Sequence, residues 1–196
     1  IKLEAELYEN FKNSIMPYCS SIQELASIIS RLDCLVSLAT VAVNNKYCKP
    51  EITTNDEISI KNGRHPVVEL LLHQGSFISN DTYLNSNEDR TMILTGPNMA
   101  GKSTYMRQVA LITLMAHIGS YVPASQAKIC IVDRIFTRIG ASDDLAIGQS
   151  TFMVEMVEVS NILTFATNKS LIILDEVGRG TSTNDGMSIA SSVVEY

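Results

Sequence analysis

Between residues 21 and 43 the apolar positions Ile22, Leu25, Ile28, Ile29, Leu32, Leu35, Val36, Ala39 and Val43 keep helical spacing, while Gln23, Glu24 and Arg31 fall off that stripe. The spacing predicts one long packing helix. Residues 1 to 16 carry a looser version of the pattern, and Pro17 is expected to end or kink it, giving two helices before Lys49-Pro50 opens an extended linker. The domain boundary is expected near residues 46 to 56, with a helical segment over 1–48 and an α/β segment over 49–196. Ile58-Ser59-Ile60 alternates like a short strand, and Gly63-Arg64-His65-Pro66 carries the Gly and Pro of a turn. The apolar run Met92-Ile93-Leu94-Thr95 leads into a glycine-containing loop. Beyond that loop, Met106, Val109, Ala110, Ile112, Thr113 and Met115 predict a helix over 102–118, terminated by Gly119. Residues 127–139, AKICIVDRIFTRI, alternate and are rich in β-branched side chains, predicting a strand with a bend at Asp133. A helix over 150–167, a strand over 171–174, a Gly-rich turn to 183 and a helix from about Asp185 complete the pattern. Strands alternating with helices predict an α/β sheet with its ligand at the C-terminal ends of the strands.

The loop itself reads Gly96-Pro97-Asn98-Met99-Ala100-Gly101-Lys102-Ser103-Thr104. The spacing G-x-x-x-x-G-K-S places backbone N–H groups and a helix N-terminus around a polyphosphate; Lys102 reaches the β and γ oxygens, and Ser103 can ligate magnesium. Packing gives no reason for a Lys-Ser pair opening a helix after Gly101. Farther along, the apolar run Leu171-Ile172-Ile173-Leu174 ends in Asp175-Glu176, at the position where P-loop enzymes hold metal and activate water. Without a phosphate loop such a pair would be solvated surface. With one, Asp175 is expected to bind Mg2+, directly or through water, and Glu176 to polarise the attacking water. The two motifs together predict a P-loop NTPase with ATP or ADP and Mg2+ as its ligands.

Composition narrows the picture. At 196 residues and 45% hydrophobic content the chain suits one or two units with a buried core. Fifteen basic against twenty-one acidic residues give a charge of −6, so no global attraction to nucleic acid or anionic membrane is expected. Cys19, Cys34, Cys48 and Cys130 are widely separated with no C-x-x-C pair, which excludes a zinc cluster or disulfide framework and points to reduced cytosolic thiols. No secretion signal precedes the sequons at Asn80 and Asn168, so both read as surface residues. Charge or amide interrupts each apolar stretch within about ten residues, short of the roughly twenty that cross a bilayer, so a cytoplasmic and not a membrane-embedded protein is expected. Asp143-Asp144 reads as an exposed loop or cap, His65 as a turn-stabilising residue, and His73 and His117 as surface or helix-end residues; none is nominated for catalysis. The methionines read as fillers of core gaps. Arg179 fits equally a phosphate or partner contact and an interface salt bridge. Both ends of the chain lie within helical patterns and read as cut from something longer.

Five strings resemble one family: Gly63-Arg64-His65-Pro66; the loop GPNMAGKST; Gly119 to Ala124, GSYVPA; Ser150 to Met156, STFMVEM; and Asp175 to Thr183, DEVGRGTST. Together they resemble the MutS family of DNA mismatch-repair ATPases across essentially the whole chain. The resemblance implies lever helices over residues 1–48 and most of an ABC-type ATPase domain over the remainder. It further implies a homo- or heterodimer in which two nucleotides sit at the subunit interface. Ser150 matches the family's serine that acts in trans on the partner's γ-phosphate, a reading compatible with a simple N-cap. Phe77 and Ile78 match the adenine-contacting pair, with core packing an equal reading for Phe77, and Asn98 matches the loop asparagine. Mismatched double-stranded DNA would be gripped by domains outside this segment, a MutL-type factor would act downstream, and the setting would be the nucleoid if bacterial. The family's switch histidine and dimerisation segment would lie beyond Tyr196. Asn184 stands where the family usually has an aromatic residue, which puts local packing in question. The STFMVEM string looks more like the mismatch-repair branch than a recombination-type paralogue, and it occupies the place where another ABC ATPase carries an LSGGQ-like signature. A nonhydrolytic module that nucleotide merely stabilises as a dimer is opposed by Glu176.

Overall fold

Helix spacing at the start of the chain produces helix α1 (Lys2–Ile15), a 3-10 turn (Met16–Tyr18) and helix α2 (Cys19–Asn44). The computed structural model describes residues 2–72, 77–139, 151–178 and 180–196, and the chain divides into the compact units Ile1–Asn44 and Asn45–Tyr196. Pro17 interrupts the α-helix as expected: α1 stops at Ile15 and α2 starts at Cys19, and Pro17, lacking an N–H, sits at the opening of the tighter 3-10 turn between them, where that donor is not required. The stripe formed by Ile22, Leu25, Ile28, Ile29, Leu32, Leu35 and Val36 is exposed. One expectation needs correcting: the stretch Lys2–Asn44 is long and apolar enough to cross a membrane by length and composition, its most apolar 18-residue window having a mean hydropathy of 1.7. The helical course continues past Pro17 through the 3-10 turn, and few charges break its second half. Arg31 and Asp33 lie within it, and at a bilayer centre each would cost about 2.5–3.5 kcal/mol. The apolar residues also form a stripe at packing-helix spacing.

The second unit is mixed α/β. Strands β1 (Glu51–Thr53) and β2 (Glu57–Gly63), the short helix α3 (Val68–Leu71), strand β3 (Asn80–Asn85) and helix α4 (Lys102–His117) are followed by strands β4 (Gln126–Cys130) and β5 (Ile135–Arg138). Helix α5 (Thr151–Phe165), strand β6 (Leu171–Leu174) and helix α6 (Thr183–Glu195) end the order. One sheet runs β1-β4-β2-β3; a second contains β5 and β6 in parallel. In the first, β4 pairs parallel with β1 and antiparallel with β2, and β2 continues antiparallel to β3 with a register shift between Ile60 and Gly63.

Residues 127–139 therefore form two strands in different sheets, not one bent strand. The cause is Asp133: its carboxylate accepts from the hydroxyls of Thr167 and Ser170 at 2.8 Å each, and its N–H donates to Lys169 O at 3.2 Å. These bonds draw the chain away from β4 and start β5 beside β6. Likewise Met92-Ile93-Leu94-Thr95 joins no ladder among the described residues, and Met92 and Ile93 stay exposed.

Alternating burial places Ile58, Ile60 and Ile129 inside, where α4 covers them with Val109, Ala110, Ile112 and Ala116. Gly119, at φ 81°, closes α4 as expected, with Gly119 N–H donating to Ala116 O and Ser120 N–H to Met115 O. The turn after β2 is fastened by Arg64, whose N–H donates to Pro123 O and whose Nε pairs with Glu69 Oε2 at 2.6 Å. His65 is buried there and its Nδ1 accepts from the N–H groups of Val67 and Val68, a turn-stabilising role. Burial lowers its pKa. His117 Nε2 accepts from Val132 N–H while Nδ1 faces Thr113 O, so the helix end is tied to the chain beyond β4. All four cysteines are free.

Candidate functional site

Three backbone conformations shape residues 96–101: Gly96 at φ 149°, Met99 at φ 65° and Gly101 at φ 88°. Gly101 is the N-cap of α4, so the chain leaves a left-handed residue directly into the helix and points that helix's unpaired N–H groups into the loop. Among the described residues nothing lies within 4 Å of a Cβ built on Gly101, so backbone conformation, not crowding, calls for glycine there. Pro97, Asn98, Met99 and Ala100 are exposed on the rim, whereas Lys102, Ser103 and Thr104 are half-buried in the first turn. Lys102 Nζ curls back over the loop and donates to Gly96 O at 2.8 Å and Pro97 O at 2.9 Å. Its ammonium thus lies across the concavity outlined by the turning backbone.

The two distant motifs meet at one atom pair. Ser103 Oγ donates to Asp175 Oδ2 at 2.5 Å, across 72 residues of sequence. Asp175 is held from the other side, its N–H donating 2.7 Å to Arg138 O, so the β5–β6 pairing carries past β6 to the carboxylate. A hydroxyl and a carboxylate in contact are a hard-oxygen donor set of the kind magnesium takes, with its remaining positions left to water and phosphate. The residues present therefore fit that ion. Glu176 follows at φ 56°, a conformation rare outside glycine, which redirects the chain sharply at the end of the strand.

Phe77 is half-buried and Ile78 is 83% exposed, on the segment leading into β3. Helix α4 reaches that strand through Tyr105, whose hydroxyl shares a hydrogen bond with Thr82 Oγ1 at 2.8 Å and donates to Asp81 O at 3.2 Å. The loop over residues 96–101 and the segment after Phe77-Ile78 are thereby on one scaffold. Ser150, Asp143, Asp144, His73 and Arg179 lie outside the described residues.

Sequence reasoning passed over two residues near the acids. Glu155 is buried in α5 and its Oε1 accepts from Gly178 N–H. Arg138 is buried at the end of β5 and pairs with Glu158 Oε2 at 2.7 Å. The available signal was a carboxylate inside an otherwise apolar helical string, STFMVEM, where burial without a partner would be costly.

Comparison with known proteins adds the following. A family model described as MutS domain V matches residues 92–196. The DNA mismatch repair protein MutS of Clostridium kluyveri (strain NBRC 12016) is 63% identical over 196 residues, all of this chain and 22% of that protein. The DNA mismatch repair protein MutS of Clostridium botulinum (strain Loch Maree / Type A3) is 62% identical over the same length, which is 21% of that protein. The chain thus spans about a fifth of the length of these curated relatives.

Proposed function

This chain belongs to the MutS family, and from that premise we propose that its second unit binds and hydrolyses ATP with Mg2+ and passes the nucleotide state to DNA-gripping domains of a mismatch-repair clamp. The observation that carries this reading is the Ser103–Asp175 contact, which unites the phosphate loop and the strand-end acid at one point.

In this reading the N–H groups of residues 96–104 and the N-terminus of α4 hold the β and γ phosphates of ATP. Lys102 exchanges its bonds to Gly96 O and Pro97 O for bonds to phosphate oxygens. Ser103 Oγ and Asp175 would hold magnesium, which when bound neutralises developing charge on the phosphates. Glu176 orients the attacking water and takes up its proton, aimed by the turn at its own Cα. Phe77 and Ile78 contact adenine from the segment before β3, and Asn98 contacts the nucleotide from the loop. Ser150 of one protomer reaches the γ-phosphate on the other, so the working form is an ABC-type dimer, homo- or heteromeric. The helices of the first unit act as levers toward domains that bind mismatched double-stranded DNA, with a MutL-type factor acting downstream and the cytoplasm as the site of action.

The test is calorimetric titration of Mg·ATP into the full-length protein and its Lys102→Ala variant. Losing charge-assisted hydrogen bonds worth about 1.5–3 kcal/mol should weaken binding by about ten- to a hundredfold. No heat from the unaltered protein, or equal affinity in the variant, would overturn the reading.

A further inference from the structure

Two carboxylates one helical turn apart on α5 bracket the strand-end acids. Glu158 pairs with Arg138, and the Arg138 carbonyl accepts the N–H of Asp175. Glu155 accepts the N–H of Gly178, two residues beyond Glu176. The i, i+3 spacing puts both on one face of the helix, so α5 holds the chain after Asp175-Glu176 directly at Gly178 and reaches Asp175 itself through Arg138 of the neighbouring strand β5. The loop past Glu176 is confined on its other sides as well. A Cβ on Gly178 would lie 2.6 Å from Gly186 Cα, and one on Gly180 would lie 2.7 Å from Phe152 Cβ. The loop thus touches backbone of α6 and the first turn of α5.

Burying a carboxylate is unfavourable unless strong donors meet it. Here a buried carboxylate meets a backbone N–H in a loop, close to a non-glycine residue held at positive φ. Positive φ at Glu176 persists only if its surroundings over-determine it, and the Gly178 bond to Glu155 is one such restraint on its C-terminal side. Resting on the ATPase reading above, we infer that Glu155 is a positioning residue: through Gly178 it sets the turn that aims the Glu176 carboxylate at the attacking water. The same bond makes the aim of Glu176 follow any movement of α5.

The test uses the full-length protein with Glu155→Ala and Glu155→Gln, measuring kcat, the dissociation constant for Mg·ATP and hydrogen exchange at the Gly178 amide. Misdirection of a reacting group is expected to lower kcat by about 10²-fold in Glu155→Ala, with ATP affinity unchanged and exchange at Gly178 accelerated. Glu155→Gln keeps an oxygen acceptor and should recover the greater part of the rate. Native kcat in Glu155→Ala overturns the inference. So does a joint loss of kcat, ATP affinity and protection throughout the unit in both variants, which marks a purely structural role. No turnover by the unaltered protein overturns the ATPase reading itself and this inference with it, so the two failures are distinguishable.

Discussion

Replacing Gly178 by alanine tests whether the loop after the acids is fixed by backbone contact. Two costs combine there. Gly178 sits at φ 83°, and its Cβ would meet Gly186 Cα at 2.6 Å, Gly186 O at 2.7 Å and Gly186 C at 3.0 Å. The left-handed conformation costs an L-residue about 1–2 kcal/mol, and the contacts are all backbone, which yields only by moving α6, an overpacking cost of about 1–3 kcal/mol. Gly178→Ala should therefore destabilise by about 2–5 kcal/mol, or about 4–20 °C in Tm for a chain of this size. Gly101→Ala is the internal control: φ is 88° but nothing among the described residues lies within 4 Å, so conformational strain of about 1–2 kcal/mol is the cost expected there. Gly186→Ala isolates the other component, since its Cβ would meet Gly178 O at 2.5 Å while the helix gains about 1 kcal/mol of propensity. Thermal and urea unfolding of the three variants side by side provide the comparison. If Gly178→Ala is no more destabilised than Gly101→Ala, loop and α6 are not in close backbone contact, and the reasoning fails.

Three further outcomes are expected. Glu176→Gln in the full-length protein should retain ATP binding while turnover falls by about 10²–10⁴-fold, as expected on losing a general base; undiminished phosphate release would remove Glu176 from that role. Burial lowers the pKa of His65 below its ordinary 6.5, so the unfolded chain binds the extra proton first: stability from neutral His65 is full above that value and lost as pH falls through it. Urea unfolding between pH 7.5 and 5 should show this decline, flattened in His65→Asn; identical slopes would rule it out. Gln108 is wholly buried with neither amide atom hydrogen-bonded among the described residues. Because an unmet polar group costs about 1–3 kcal/mol, Gln108→Met should unfold at higher urea, and a lower midpoint would show that the amide is satisfied.

Local structure was legible in the sequence wherever it depends on contiguous residues. The turning loop from Gly96 to Gly101, the start of α4 at Lys102, its end at Gly119 and the strand before Asp175 all follow from short strings whose conformational needs are set by neighbours. Helix α6 starts before Asp185 because Ser182 Oγ accepts from Asp185 N–H and donates to the Asp185 carboxylate, a cap readable from Ser182 itself. What periodicity could not show was which sheet a strand joins. Residues 127–139 alternate throughout, and only the long-range bonds from Asp133 to Thr167, Lys169 and Ser170 divide them. Met92 to Thr95 has strand composition but finds no ladder among the described residues, because pairing is a property of the partner as much as of the segment. Glu155 was hidden for a similar reason: its value lies in Gly178, 23 residues away.

The central place of β4 in its sheet has a consequence for biosynthesis. As the chain leaves the ribosome, β2 and β3 emerge early and can zip together, but β1 and the other edge of β2 must wait until residues 126–130 appear. Through that interval the nascent sheet offers open strand edges flanked by Ile52, Ile58 and Ile60 to any neighbour. Such intermediates are prone to non-native pairing. Slowing translation between β3 and β4 should therefore lengthen the vulnerable window and increase dependence on chaperones.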